Sequence, residues 1–325
     1  TQKTGLSLLL RNSFPLRNVR RVKNLLKIIS NPKNRFIITV MKLIPIEKRA
    51  GLTREEFIEN YLKPKKPVVL KDLADQWPAT QKWTFDFFIE NYGYLEVPVI
   101  GPDYHKPGPT YMKSNVTMTF GEYLNIIRKE PTKYRVFLWN ILDHAKELAK
   151  DVSNPDICDG WVDNYPFMFF GGAGAITGLH YDIDCSHVFH THFWTRKHIV
   201  LFDQTQNPYL YQHPFTVQSH VNPLQPDYDR FPALQKATGH ETILEHGETL
   251  FIPSMWWHYI VYLEGGYSLS LRAKDGLMGT AKGLLHIAQH FVVDKGMNTL
   301  MPRKWKSWKE EQAEKRAQEA MNLDV

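Results

Sequence analysis

The chain has 325 residues, 43% hydrophobic and 23% charged, which is the composition of a folded protein of one large or two small domains and excludes general disorder. No apolar run approaches the ~18 residues of a membrane span. Two cysteines, Cys158 and Cys185, exclude a disulfide scaffold and a four-cysteine zinc site, and suit a reducing, cytoplasmic location. The net charge of +6 is local: residues 1–40 hold nine of the 40 basic residues and no acidic one, so the rest sets 31 basic against 34 acidic, a net of −3. By charge the body is not a nucleic-acid binder.

In chain order, residues 1–40 form a basic N-terminal extension. Val22, Leu25, Leu26 and Ile29 fall at helical spacing among basic residues, which suits an amphipathic surface helix; an acid-free, Arg-rich start equally suits a transit peptide or a loosely ordered extension. Met41 opens the expected catalytic domain, residues 41–275, and residues 276–325 form a C-terminal helical segment. Thr53 and Glu56 make a capping box ahead of Phe57, Tyr61 and Leu62. The segment 67–70 is predicted as a buried strand, Thr84 as the cap of a helix ending near Gly93, 97–100 as a strand, 119–128 as a helix, 135–140 as a strand and 143–150 as a helix. The loop 101–109, with Tyr104, Tyr111 and Lys113 nearby, is a surface loop or a cover for a pocket.

Between 165 and 272 the pattern changes to recurrent short strands, predicted at 167–170, 179–183, 198–202, 241–244, 249–252, 260–262 and 267–272. Turn residues separate them, as in a barrel or sandwich. After Gly276 helices return, one through Leu284–Val292 and a charged one over 304–322. The expectation is a mainly β molecule with flanking N- and C-terminal helices.

The chemistry-bearing pattern is His180-Tyr181-Asp182, with His258 following 78 residues after His180. If one strand holds His180 and Asp182, both point to one face. Two imidazoles and a carboxylate on one side of a metal form the facial triad that suits non-heme Fe(II). A core histidine beside a surface aspartate is the alternative. His190-x-His192 offers a second metal pair or a polar barrel lining. Cys185 is an oxidation site or a packing residue, and Trp256 and Trp257 pack or form a substrate platform.

The run from Phe169-Phe-Gly-Gly-Ala-Gly to Thr177-Gly-Leu-His180, the strand 198–202 entered through Lys197, Gln225-Pro-Asp-Tyr-Asp-Arg-Phe-Pro232, Glu245-His-Gly-Glu-Thr-Leu-Phe-Ile-Pro253 and Trp256-Trp257-His258 carry a resemblance. Residues 165–272 resemble the JmjC-type, cupin-like 2-oxoglutarate oxygenases, and within them the asparaginyl hydroxylases that act on hypoxia-inducible factor. The resemblance implies a double-stranded β-helix (cupin or jelly-roll) barrel and Fe(II) held by His180, Asp182 and His258. It also implies 2-oxoglutarate and O2 as co-substrates, with succinate and CO2 as products. Lys197 would hold the far carboxylate of 2-oxoglutarate, with Arg196 its rival, and Thr177 would bond the same carboxylate. Phe137 stands where the family has a tyrosine. Arg272 stands where it has an asparagine, and Ser268 or Ser270 would offer a hydroxyl instead.

The implied substrate is a side chain of a protein or peptide, with RNA or a small molecule as alternatives within the same chemistry. A non-oxygenase metal-binding cupin, an isomerase or binding protein, would keep the triad without needing Lys197. An inactive barrel would have lost a ligand. Leu284, Leu285, Phe291 and Val292 are candidates for a homodimer interface through the C-terminal helices, or for packing onto the barrel.

Overall fold

The computed structural model describes residues 40–101, 114, 116–136, 139–162 and 166–323. The first half supplies β1 (Lys42–Pro45), β2 (Lys48–Arg49), α1 (Arg54–Phe57), β3 (Val68–Leu70), α2 (Pro78–Lys82), α3 (Phe85–Tyr92), β4 (Glu96–Ile100), β5 (Val116–Thr119), α4 (Phe120–Lys129), β6 (Arg135–Val136) and α5 (Ile141–His144). The second half supplies β7 (Phe167–Gly171), β8 (Ile176–His180), β9 (His187–Phe193), β10 (Lys197–Phe202), β11 (Thr238–Leu244), β12 (Thr249–Ile252), β13 (Trp257–Tyr262) and β14 (Gly266–Ala273). Three helices follow: α6 (Gly276–Ala288), α7 (Lys295–Leu300) and α8 (Pro302–Leu323).

The local signals act as their chemistry requires. Thr53 accepts from the Glu56 amide while Glu56 returns a bond to the Thr53 amide, and Thr119 and Glu122 repeat the same box at the start of α4. Thr84 caps α3, which ends at Gly93.

The strands form two sheets, in spatial order β1-β11-β10-β13-β8 and β2-β3-β12-β9-β14-β7-β6-β4-β5. Register assigns the faces, because directly paired residues point to the same side. In the first sheet Leu201 lies opposite His258, Ile199 opposite Ile260 and Lys197 opposite Tyr262. In the second, Ser268 lies opposite His192, Ser270 opposite His190 and Arg272 opposite Val188. The alternate residues of both sheets meet in one cluster of Val69, Val188, Ile199, Leu201, Leu244, Leu250, Ile252 and Ile260. Its members Ile199 and Ile260 lie between the Lys197–Tyr262 and Leu201–His258 pairs, so apolar and polar residues share the space between the sheets. This is a jelly roll, as expected.

The outward faces are buried too. Phe189, Phe193, Phe251, Tyr267, Leu269 and Leu271 pack against Phe57, Trp83, Phe88, Phe120 and Tyr123 from the N-terminal helices. Val200, Phe202, Trp257 and Tyr259 pack against Leu210, Tyr211, Phe231 and Leu234 from the β10–β11 excursion and against Ala313 and Ala317 of α8. Burying a side chain of this size contributes about 1.5–3 kcal/mol, so the helices are part of the fold's stability rather than appendages.

Several sequence expectations need correction. β8 covers 176–180 rather than 179–183, so it ends at His180 and Asp182 lies beyond it. β1, β2, β5, β9, α2 and α7 have no counterpart among the sequence expectations. The strand expected over 135–140 is Arg135–Val136, with 137 and 138 outside the described residues. The helix expected over 143–150 is α5 followed by a 3-10 turn, Lys146–Asp151. Residues 1–39, Tyr104, Tyr111 and Lys113 lie outside the described residues.

Candidate active site

His180 closes β8 and His258 is the second residue of β13, and the two are directly paired across the ladder. Asp182 comes from the connection after β8, not from the strand itself, yet it reaches the same point. Its Oδ1 lies 3.7 Å from His180 Nε2 and 3.6 Å from His258 Nε2. One ligand atom from each residue falls within 4.8 Å of the others. His180 Nδ1 is 2.8 Å from the Gly178 carbonyl and His258 Nδ1 is 3.1 Å from the Trp256 carbonyl. A carbonyl only accepts, so each ring carries a proton on Nδ1 and turns Nε2 toward Asp182. Burial, reinforced by His258, lowers the His180 pKa to about 3, which keeps that ring neutral. Two imidazoles and a carboxylate converging this way fit a divalent iron.

Burial alone would raise the Asp182 carboxyl, but the Arg272 guanidinium beside it overrides this and holds it well below the usual carboxylate range. Arg272 Nη1 sits 2.7 Å from Asp182 Oδ2 and 3.1 Å from Asp184 Oδ1, and donates to Ser186 Oγ at 2.9 Å. Two non-glycine residues with left-handed backbone flank the ligands: Cys185 at φ 53° and Met255 at φ 62°, each three residues from Asp182 or His258. Such backbone costs roughly 1–3 kcal/mol per residue and persists where packing over-determines it. Here α6 supplies packing on one side, since a Cβ on Gly283 would stand 2.3 Å from the Asp184 carbonyl.

Lys197 points inward from β10 at 1% exposure. Its Nζ donates to Ser268 Oγ at 2.6 Å, lies 3.3 Å from His190 Nε2, and rests 4.0 Å from the centre of the Tyr262 ring. An ammonium only donates, so His190 accepts through Nε2 and donates from Nδ1 to Ser270 Oγ at 2.9 Å. His192 Nδ1 lies 2.8 Å from Ser268 Oγ. Burial, with Arg135 second, drives the Lys197 pKa well below its ordinary value. Arg135 is itself buried at 2% exposure and donates from Nη1 to the Ile176 carbonyl. No described carboxylate pairs with Lys197. Arg196 faces outward, half exposed, and pairs with Glu264.

Thr177 lies opposite Ile260 while His180 lies opposite His258, so three steps on β8 match two on β13. That bulge turns Thr177 to the same inner face as the triad, although residues three apart on a regular strand face opposite ways. Ser268 belongs to the Lys197 cluster and Ser270 to His190, so neither hydroxyl substitutes at the position of Arg272. His190 and His192 line the barrel in hydrogen bonds to serines. Among the described residues, the triad is the one His/Cys/Asp/Glu group with metal-binding spacing. His187 faces the other way, with its Nε2 3.3 Å from Asp275. Cys185 is buried, its thiol pushed up to about 11 by burial and then by Asp184, which makes it a poor thiolate. Trp257 packs on Tyr181 and Trp256 on His240. Phe137 lies outside the described residues.

Sequence reasoning missed Arg135 as a second buried cation and Arg272 as the partner of Asp182. The available signal was an arginine at one end of each of two predicted strands, 135–140 and 267–272.

A cupin-like domain family matches residues 53–273. The chain is 31% identical over 228 residues to lysine-specific demethylase 8 of Xenopus tropicalis, covering 66% of this chain and 50% of that protein. It is 31% identical over 258 residues to lysine-specific demethylase JMJ30 of Arabidopsis thaliana, covering 72% and 57%. It is 27% identical over 242 residues to the tRNA wybutosine-synthesizing protein 5 of Gallus gallus, covering 68% and 74%. The chain belongs to the cupin-like JmjC family of 2-oxoglutarate oxygenases. It spans about half the length of the demethylases it matches. The closer likeness to hypoxia-factor hydroxylases rests on the sequence motifs alone.

Proposed function

We propose that the chain is an Fe(II)- and 2-oxoglutarate-dependent dioxygenase that hydroxylates a side chain of a protein or peptide, with succinate and CO2 as co-products. The supporting observation is a single barrel interior that holds a His-Asp-His donor set at one point and, at another, a buried ammonium that no described carboxylate meets. A buried cation costs several kcal/mol unless an anion meets it. A dicarboxylate that chelates the metal at one end and meets Lys197 at the other meets that need.

In this reading His180, Asp182 and His258 hold the metal, which when bound supplies the oxidising centre for decarboxylating 2-oxoglutarate and oxidising the substrate with O2. Lys197, supported by Ser268, takes the far carboxylate, Thr177 adds a hydroxyl from the same inner face, and Arg135 adds positive potential. The apolar cluster beside them keeps water out. Residues 41–275 form the catalytic unit and 276–325 a helical segment. A cytoplasmic location suits the two buried free cysteines. A homodimer through the C-terminal helices suits their exposed apolar face.

An RNA substrate is the second reading, and the tRNA-named relative over two thirds of the chain favours it. The net charge of the body therefore does not exclude a nucleic-acid substrate. A non-oxygenase cupin would not require the Lys197 cluster.

The test is calorimetry of 2-oxoglutarate binding to the Mn(II)-loaded protein and to Lys197→Met. The expected result is binding by the wild type and a loss of at least about 100-fold in the variant, the scale of a lost buried charge pair. Equal binding by both would remove Lys197 from the site, and no binding by either would favour the non-oxygenase cupin.

A further inference from the structure

The two oxygens of Asp182 face different groups. Oδ1 turns toward the imidazole nitrogens, at 3.7 and 3.6 Å, and Oδ2 toward Arg272 Nη1, at 2.7 Å. The same guanidinium reaches Asp184 and Ser186 in the connection that carries Asp182. Arg272 comes from β14, on the opposite sheet from the strands bearing the histidines. Its direction is fixed by register, since it lies opposite Val188 with its side chain inside the barrel.

We infer that Arg272 is a positioning residue, whose guanidinium occupies Asp182 Oδ2 so that the carboxylate meets the metal through Oδ1 alone. This rests on the metal-dependent reading above. A carboxylate has lone pairs on both oxygens and binds divalent metals through one or both. Released from Arg272, Asp182 is free to turn away, and Oδ1 is no longer held where the two histidine Nε2 atoms converge. All these Arg272 contacts are made by Nη1, which stands one bond farther along the side chain than a lysine ammonium, so lysine keeps the charge but not the reach.

Charge and position predict opposite effects, which makes the inference testable. If Arg272 acted only as a positive charge near a cation, removing that charge would tighten metal binding, and Arg272→Lys would change nothing. If it acts by position, Arg272→Lys weakens binding although the charge is kept.

Metal-free wild type, Arg272→Lys, Arg272→Met and Asp184→Asn are titrated with Mn(II) by calorimetry, and their Co(II) absorption spectra are recorded. Circular dichroism melts check that each variant is folded. The expected result is Mn(II) binding about 10-fold or more weaker in Arg272→Lys, with a changed Co(II) spectrum. Asp184→Asn, which keeps the Arg272–Asp182 contact, stays near wild type. If Arg272→Lys does not fold, Arg272→Met is read alone for weaker metal binding. Wild-type affinity and spectrum in Arg272→Lys, tighter binding in Arg272→Met, or an Asp184→Asn loss as large as that of Arg272→Lys would each overturn the positioning role. Absence of Mn(II) binding by the wild type would instead remove the metal centre itself.

Discussion

Lys197 is where stability and function oppose each other. Its ammonium is buried with hydroxyl, imidazole and ring neighbours, and no described carboxylate pairs with it. Replacing such a cation with an apolar side chain of similar length removes a desolvation cost. Lys197→Met should therefore unfold at higher urea concentration than the wild type in the absence of 2-oxoglutarate, by ~1–3 kcal/mol. A less stable variant would mean that the cluster stabilises the fold on its own. The triad was legible in sequence because residue type alone dictates donor chemistry. Arg272 was not, because its contact with Asp182 spans 90 positions and depends on the register of β14 against β9.

Among the elements, β9 shows why part of the barrel was invisible in sequence. Its two phenylalanines, Phe189 and Phe193, point outward to the N-terminal helices, and two of its three histidines, 190 and 192, point inward to the lysine cluster. This inverts the usual apolar-in pattern, so the segment resembled a polar loop. β8 ends earlier than the apolar pattern suggests, at His180, which pairs with His258 on one side and bridges Gln218 on the other. The segment after β10 holds a second histidine pair, with His213 Nε2 2.7 Å from His220 Nδ1. Burial, then His220 and the cations Lys309, Arg316 and Lys306, lowers His213 to about 2. Burial, then Arg230 and Lys306, lowers His220 to about 4. Below pH 6.5 the unfolded chain binds protons that these folded rings refuse, so stability falls as pH drops from ~6.5 toward 4, by up to about 1.4 kcal/mol per pH unit for each ring. Urea unfolding at pH 7 and pH 5 should show this loss in the wild type and a smaller loss in His220→Gln. An identical loss in both would exclude His220 as a source.

At the scale of the whole molecule, the barrel with helices on both outer faces was legible, because strand spacing and capping boxes survive any tertiary arrangement. The fate of the C-terminal apolar residues was not, since burial on the barrel and burial on a partner require the same side chains. Leu284, Leu285, Phe291 and Val292 are 64%, 56%, 57% and 73% exposed, which rules out packing onto the barrel. Among the described residues, no helix is long and apolar enough to cross a membrane. Covering this face with a second copy should give a solution mass of twice the 38.0 kDa chain by light scattering, reduced to one chain by Leu285→Glu with Val292→Glu. A monomeric wild type would contradict the dimer.

The most direct test of the oxygenase reading is succinate formation from 2-oxoglutarate with Fe(II), ascorbate and O2, for the wild type and His180→Ala. The expected result is slow turnover without added substrate in the wild type and none above background in the variant. Equal succinate formation by both, or none by a wild type shown to bind Fe(II) and 2-oxoglutarate, would contradict catalysis at His180, Asp182 and His258.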